Sequence, residues 1–337
     1  MNHQEAQWLG ALQARGDAVR DARILVACSG GGDSVALLAF LWAARKSLGL
    51  DLVVAVADHG LRPEAAQEAD LVRGLCRSAD LDLVQARLEV RAHAASTGAG
   101  LETAARELRW SWLRAQAAAC GAAAVATGHT LDDHTETVLV RLARGGGAGA
   151  LTPLPPRQGL RWSPLIQLRR DELRAYLKKK GLPWLEDASN REPFTPRNRW
   201  RQLLEPMRAE APALDLHLWE THRQVEELRA FRDRHVQAWR GNRWEAGPQG
   251  PLLLARTWTE PELRWVLDAA FQELDWPREA GLLRDLSAWL LPHLDRKSEK
   301  SKSWGGYILQ TANKIGRDRA GESHLPWALV KISELQQ

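Results

Sequence analysis

The stretch "RILVACSGGGDSVALLAFLWAA", residues 23–44, runs from an apolar segment through a knot of glycines into a second apolar segment of helical character. That is the layout of a β-strand turning through glycines into a helix. The backbone N–H groups of such a turn, with the N-terminus of the helix behind it, make a nest for anionic oxygens. Ser29 and Ser34 add hydroxyl donors, and Gly30, Gly31 and Gly32 let a ligand approach the main chain. Where an ATPase phosphate loop places a lysine, this one places a carboxylate, Asp33. A carboxylate beside a phosphate makes sense when a cation intervenes, and Mg²⁺ bridging the two is such a cation. No Gly-x₄-Gly-Lys-Ser/Thr sequence occurs anywhere in the chain.

Outward from this loop, short apolar runs recur at Ile24–Ala27, Leu52–Ala57, Leu81–Val90 and Ala122–Thr127, and read as strands. Helical patterns lie between and after them, at Val35–Leu48, Glu64–Ala79, Leu101–Ala119 and Leu131–Ala143. Alternation of strand and helix implies βαβ units, hence a parallel sheet with right-handed crossovers. Such sheets bind ligands beyond the carboxyl ends of their strands, where the strand order reverses. The ends of three strands carry suitable polar residues: Ser29–Ser34, "DHGLR" (Asp58–Arg62) and "GHTLDD" (Gly128–Asp133).

At 337 residues the chain has room for two domains, and its 45% apolar and 26% charged content is that of an ordinary globular protein. We place a catalytic α/β domain at residues 1–215 and a smaller, mainly helical domain at 216–337. The glycine- and proline-rich "GGGAGALTPLPPRQG" after Arg144 is a loop, Asp171–Lys180 is a helix, and "WGGYILQT" near the end is a small hairpin or strand. No apolar run reaches the length of a membrane span, and the opening residues read as an amphipathic helix, not a signal peptide; the expected compartment is the cytoplasm. Cys28, Cys76 and Cys120 form no Cys-x-x-Cys pair and read as buried, inert thiols. Sixteen tryptophans against two tyrosines and four phenylalanines read as tryptophan filling ordinary aromatic positions, and a formal charge of +4 hints only weakly at a polyanionic partner.

The loop Ser29–Ser34 matches every fixed position of the PP-loop signature Ser-Gly-Gly-x-Asp-Ser, and so resembles the N-type ATP pyrophosphatases, which split ATP between its α and β phosphates. Further along, "VADHGLRPEA" (Val56–Ala65), "LETAARELRW" (Leu101–Trp110), "ATGHTLDDHTETVLVRLARGGGAGAL" (Ala126–Leu151) and "EDASNREPFTPRNRWR" (Glu186–Arg201) resemble, in order, the motifs of the tRNA(Ile)-lysidine synthetase family. Trp110 replaces the family's usual tyrosine, and His134 stands where glutamine is common.

The resemblance implies an adenine-nucleotide-hydrolase-like fold and a ligase that joins free L-lysine to C2 of the wobble cytidine of tRNA(Ile) with anticodon CAU, using ATP and Mg²⁺. It implies Mg²⁺ on Asp33 and Asp133, and Arg106 and Arg109 facing adenylate or cytidine. His129 would line the nucleotide site with Ser29, Gly30, Gly31, Gly32, Ser34, Asp58, His59 and Gly128. Arg144, Arg197, Asn198 and Arg201 would contact ATP or tRNA phosphates, and Glu102 would belong to the tRNA-binding set. A homodimer is compatible with it.

Plainer readings stand beside these. Thr130 and Asp133 fit a helix capping box, which does not exclude metal binding. Glu102 and Arg106 fit a surface ion pair, His59 and His129 fit core or cap histidines, and Arg197, Asn198 and Arg201 fit a solvated cluster at the start of a helix capped by Thr195 and Pro196. Other functions to weigh are a PP-loop tRNA thiolase, which wants reactive cysteines, and an idle tRNA-binding relative.

Overall fold

A computed structural model describes residues 1–60, 65–152, 154–186, 196–241, 244–247, 250–253, 258–273, 280–293, 302–304, 307–311 and 327–331, with the backbone alone at 65, 196–198, 245–247, 250–253, 280, 293 and from 302 onward. Chain contacts group it into two compact units, Met1–Val225 and Glu226–Gln337.

The first unit is built on a sheet of β1 (Arg23–Ala27), β2 (Asp51–Asp58), β3 (Asp82–Arg87), β4 (Ala124–Ala126), β5 (Arg157–Gln158) and β6 (Arg161–Trp162), in spatial order β3-β2-β1-β4-β6-β5. Every pairing is parallel except that of β5 with β6. Strand order reverses between β1 and β4, so the glycine turn after β1 and the Thr127–Thr130 turn after β4 open on the same crevice. Helices α1 (His3–Ala14), α2 (Gly32–Leu48), α3 (Ala65–Ala79), α4 (Val90–Thr97), α5 (Leu101–Cys120), α6 (Leu131–Ala143) and α7 (Arg170–Lys180) surround the sheet. The strands are buried because both faces are covered. One apolar cluster joins Ile24, Val26, Leu52 and Val54 to Leu12, Phe40 and Tyr176 from the helices, and another sets Leu25, Val53 and Val125 against Leu113 and Ala117 of α5.

The structure departs from the sequence reading in three places. The apolar run at Leu81–Val90 is two elements: β3 ends at Arg87, and its tail starts α4, a helix of eight residues. The end of the glycine- and proline-rich loop is strand β5, paired with β6 in an edge hairpin; two-residue strands beside prolines carry no periodic signal. Helix α2 starts at Gly32, three residues before the first apolar side chain of its pattern.

Helices α8 (Pro196–Glu210) and α9 (Leu214–Ala238) follow, the grouping of contacts dividing within α9. In the second unit α10 (Glu260–Glu273) and α11 (Ala280–Leu290) pack Leu263, Val266, Leu267, Phe271, Leu283, Leu286 and Leu290 with Trp244 and Trp258 into a separate core. An antiparallel sheet in the order β7-β8-β11-β10-β9 accompanies them: β7 (Trp244–Gly247), β8 (Gly250–Leu253), β9 (Lys302–Trp304), β10 (Tyr307–Thr311) and β11 (Trp327–Lys331). The "WGGYILQT" segment supplies part of β9 and all of β10. Among the described residues no helix is long and apolar enough to cross a membrane.

Candidate active site

The glycine turn is shaped by its own hydroxyls. Ser34 Oγ donates to the Gly31 carbonyl at 2.9 Å and accepts from the Ser29 amide at 3.1 Å, with Ser29 Oγ 3.3 Å away. Ser34 thus braces the turn and is not a free donor, as the sequence had suggested. Gly30 takes a positive φ of 82°, and its carbonyl accepts from Leu185 N at 3.0 Å. Gly31 begins α2 with no side-chain cap, so the first N–H groups of a 17-residue helix are left for an anion. The turn after β4 lies against this backbone: a Cβ on Gly128 would meet the Asp33 carbonyl carbon and oxygen at 3.0 Å and Ser34 N at 3.1 Å. Only glycine fits there without a shift.

The capping box at the head of α6 is real, and it orients the residue expected to bind metal. Asp133 Oδ2 accepts from Thr130 N at 2.9 Å and from its hydroxyl at 3.0 Å, while Asp133 N donates back to Thr130 Oγ1. That leaves Asp133 Oδ1 to face the crevice, where the Arg170 guanidinium meets it. Arg170 opens α7 and touches three carboxylates at once: Nε lies 3.2 Å from Asp33 Oδ2, Nη1 2.6 Å from Glu136 Oε1, and Nη2 donates to Asp133 Oδ1. Its backbone N–H donates to Asp132 Oδ2 at 2.9 Å. The two aspartates predicted from sequence therefore do converge, around a cation of the protein's own.

A second layer of arginines closes the cluster. Arg201 of α8 holds Glu136 at 2.9 Å, Arg174 stands 3.7 Å from Asp33 Oδ1, and Arg208 joins Asp132 to Asp215 with a two-pronged contact of 2.9 and 2.7 Å on the latter. Glu136 and Asp215 have side chains only 1% exposed, so each charge needs its partner. Burial alone would raise the Asp215 carboxyl, but the Arg208 fork holds it below the usual aspartate value. At Asp33 burial wins and pushes the carboxyl up, Asp133 adding to this against the pull of Arg170 and Arg174. At Arg170 burial is outweighed by Asp133, Glu136 and Asp33, which keep the guanidinium charged.

The other sequence-predicted residues are spread more widely. His129 follows β4, its Nδ1 2.8 Å from Thr127 Oγ1 and 3.4 Å from Ser163 Oγ. Asp58 Oδ1 caps its own turn by accepting from Gly60 N at 2.7 Å, with His59 half-buried beside it. Glu102, Arg106 and Arg109 are exposed on α5, and the ion pair offered for Glu102 with Arg106 does not form. Arg144 is not brought to the cluster: it caps the C-terminus of the 13-residue α6, about 20 Å along the axis from Thr130. Arg201 binds a buried carboxylate instead of standing solvated. Arg197 and Asn198 lie in the first turn of α8, their side chains outside the described residues, as are Thr195 and the 61–64 part of the second-strand motif.

Sequence reasoning missed Arg170, Glu136, Asp132, Arg208 and Asp215. For Glu136 and Asp132 a signal existed, since both flank Asp133 on one helix. For Arg170 there was none, because its carboxylate partners lie 34 or more residues away, and Arg208 reaches Asp132 from as far along the chain.

A family model described as the PP-loop domain matches residues 1–208. The chain belongs to the PP-loop family. Among curated relatives of this PP-loop chain, a tRNA(Ile)-lysidine synthase of Thermus thermophilus is 41% identical over 184 residues, 55% of this chain and 35% of that protein. One of Nitratidesulfovibrio vulgaris is 38% identical over 224 residues, 61% of this chain and 64% of that protein. One of Deinococcus radiodurans is 37% identical over 245 residues, 72% and 40%. The chain thus spans between about a third and two thirds of the length of the relatives it matches. Among solved structures, a U34-tRNA thiolase of Methanococcus maripaludis with its [4Fe-4S] cluster superposes with a TM-score of 0.55 at 15% identity, covering 67% of this chain and 78% of that one, which shows the fold alone.

Proposed function

We propose that this PP-loop chain ligates free L-lysine to C2 of the wobble cytidine of tRNA(Ile) with anticodon CAU, consuming ATP and releasing AMP and pyrophosphate. The observation that carries this reading is the likeness, at 37–41% identity over 184 to 245 residues, to relatives named tRNA(Ile)-lysidine synthase. The geometry is consistent with it: an uncapped helix N-terminus for phosphate and paired carboxylates beside it, at the switch point of the sheet.

The site suits Mg²⁺. Asp33 Oδ1 is buried without a hydrogen-bond partner, and Asp133 Oδ1 faces the same space. Among the described residues no group of three or more His, Cys, Asp or Glu is set to hold a metal. Two carboxylates with substrate phosphates and water completing the shell is the ordinary arrangement for this ion. Asp33 and Asp133 would hold the ion, and the chemistry it would supply there is neutralisation of charge on the departing phosphates.

The chain's own groups do the rest. The turn at Ser29–Gly32 and the first amides of α2 hold the β and γ phosphates as a unit, so that the cytidine O2 displaces pyrophosphate from the α phosphorus. An O–P bond forms to the cytidine as the O–P bond to pyrophosphate breaks. Adenylation turns a poor leaving oxygen into a good one. The lysine ε-amine, arriving neutral, then forms a bond to C2, AMP departs with the former carbonyl oxygen, and the amine proton passes to a base. His129, held through Nδ1 by Thr127, and Arg106 and Arg109 on α5 are assigned to the nucleotide and cytidine. The region from residue 216 onward is assigned to the tRNA body.

The thiolase reading fares worse. Burial pushes the Cys76 thiol up to about 11 and raises Cys28 as well, whereas sulfur relay needs accessible thiolates. One incubation tests the proposal: ATP, radiolabelled lysine and tRNA(Ile) with CAU, beside methionine tRNA. Label on the first alone is expected; label on neither, with ATP still bound, overturns it.

A further inference from the structure

Helix α5 presents Arg106, Trp110 and Arg114 four residues apart, hence on one face, each about 6 Å along the axis from the next. Trp110 and Arg114 line an open cleft of about 220 Å³ whose other wall is the edge hairpin, through Gln158, Leu160 and Arg161. Arg161 is half-buried there. Its Nη2 donates to Gln158 Oε1 at 2.6 Å, but its Nε is buried with no hydrogen-bond partner. Arg114 Nε donates to the Trp110 carbonyl at 3.2 Å. Among the described residues, Arg106, Arg114 and Arg161 form no ion pair with a carboxylate, whereas Arg170, Arg201 and Arg208 of the same unit each hold at least one.

A guanidinium partly shielded from water, with one buried N–H unpaired and no counter-charge, is disfavoured. Here the neighbours make matters worse: burial and then Arg106 lower the proton affinity of Arg161. An anion entering the cleft would relieve all of this. Trp110 packs against the core of the sheet yet stays half-buried and lines the cleft, and an indole there is a group on which a base can stack. Arginine beside an aromatic face, repeated at the spacing of a helix turn, is how proteins hold an unstacked nucleotide by its phosphate and its ring without reading its sequence.

We propose that the cleft between α5 and the edge hairpin is a subsite for a single-stranded RNA nucleotide, with the phosphate on Arg114 and Arg161 and the base on Trp110. It rests on the reading that the substrate is a tRNA, and adds to it a place where the RNA is gripped outside the carboxylate cluster that handles ATP. Arg106, one turn nearer the head of the same face, is close enough for its charge to be felt at Arg161.

The test is the affinity of the full-length protein for a tRNA(Ile) transcript with anticodon CAU, titrated at several salt concentrations. Arg114→Gln together with Arg161→Gln is expected to weaken binding at least tenfold. Loss of that phosphate contact should also flatten the slope of log affinity against log salt by about 0.7. Trp110→Tyr keeps a stacking face and should bind within about threefold of the parent chain, whereas Trp110→Leu should lose about tenfold at an unchanged salt slope. The single variant Arg114→Gln alters an exposed side chain, so its loss of affinity reports binding and not misfolding. Parent-like affinity and slope in the arginine variants would overturn the subsite. A parent chain that does not bind the transcript at all would instead overturn the tRNA reading beneath it.

Discussion

Arg170 is the residue on which the acidic cluster depends. Its guanidinium is the shared partner of Asp33, Asp133 and Glu136, and its amide holds Asp132. Removing one member of a buried ion cluster leaves the others charged and uncompensated, at a cost of about 3–5 kcal/mol. Arg170→Gln should therefore lower the melting temperature of this unit at neutral pH by about 6–20 °C. The loss should shrink as the pH falls toward 4.5, because protonating the freed carboxylates removes the repulsion; a variant that melts like the parent chain across that range would rule this out. The paired aspartates were legible in the sequence because each sits in a contiguous pattern, Ser-Gly-Gly-Gly-Asp-Ser and Thr-x-x-Asp. The arginine between them was not, since no local rule says which of ten nearby arginines will turn inward.

Elements were legible where their signal was periodic and long. Strands β1, β2 and β4 and helices α2, α3, α5 and α6 fall where the apolar pattern puts them, whereas α4 and the edge hairpin were hidden by shortness. The tertiary pairing of α6 with α9 was equally invisible. It buries His134 completely, its ring 5.1 Å from Trp219 and 5.0 Å from His222, with neither ring nitrogen hydrogen-bonded. Burial, with His222 adding to it and Asp215 opposing, pulls the imidazole down to about 3 from an ordinary 6.5. The folded state keeps this ring neutral while the unfolded chain protonates it. Stability is thus full above 6.5 and lost as pH falls from 6.5 toward 3, by up to about 1.4 kcal/mol per unit. Between pH 6.5 and 4.5, before most carboxylates titrate, urea denaturation should show this slope. His134→Gln, which cannot titrate, should flatten it; an equal slope in both proteins would place the acid sensitivity elsewhere.

At the scale of the whole chain, each unit has apolar clusters of its own among the described residues. The clusters of the first unit end with residues such as Tyr176, Leu177 and Trp184, and that of the second begins at Val236. Every group of the carboxylate cluster, including Asp215, lies before the division, as do Trp219 and His222 on the first half of α9. Twelve residues are marginal as an isolated helix, but this half is pinned by the Arg208 contact to Asp215 and by the packing of His134. A chain ending at Val225 should therefore fold, melt in one cooperative transition, and bind an ATP analogue with Mg²⁺ within about threefold of the full-length protein. Its affinity for tRNA should fall, since the region beyond is assigned to the tRNA body, and the fall should be larger at low salt, where phosphate contacts contribute most. Calorimetric titration of both chains with analogue and transcript separates these effects. If the shortened chain is molten or has lost the analogue, the site draws support from the second unit; if it keeps the full tRNA affinity, the RNA is held by the first unit alone.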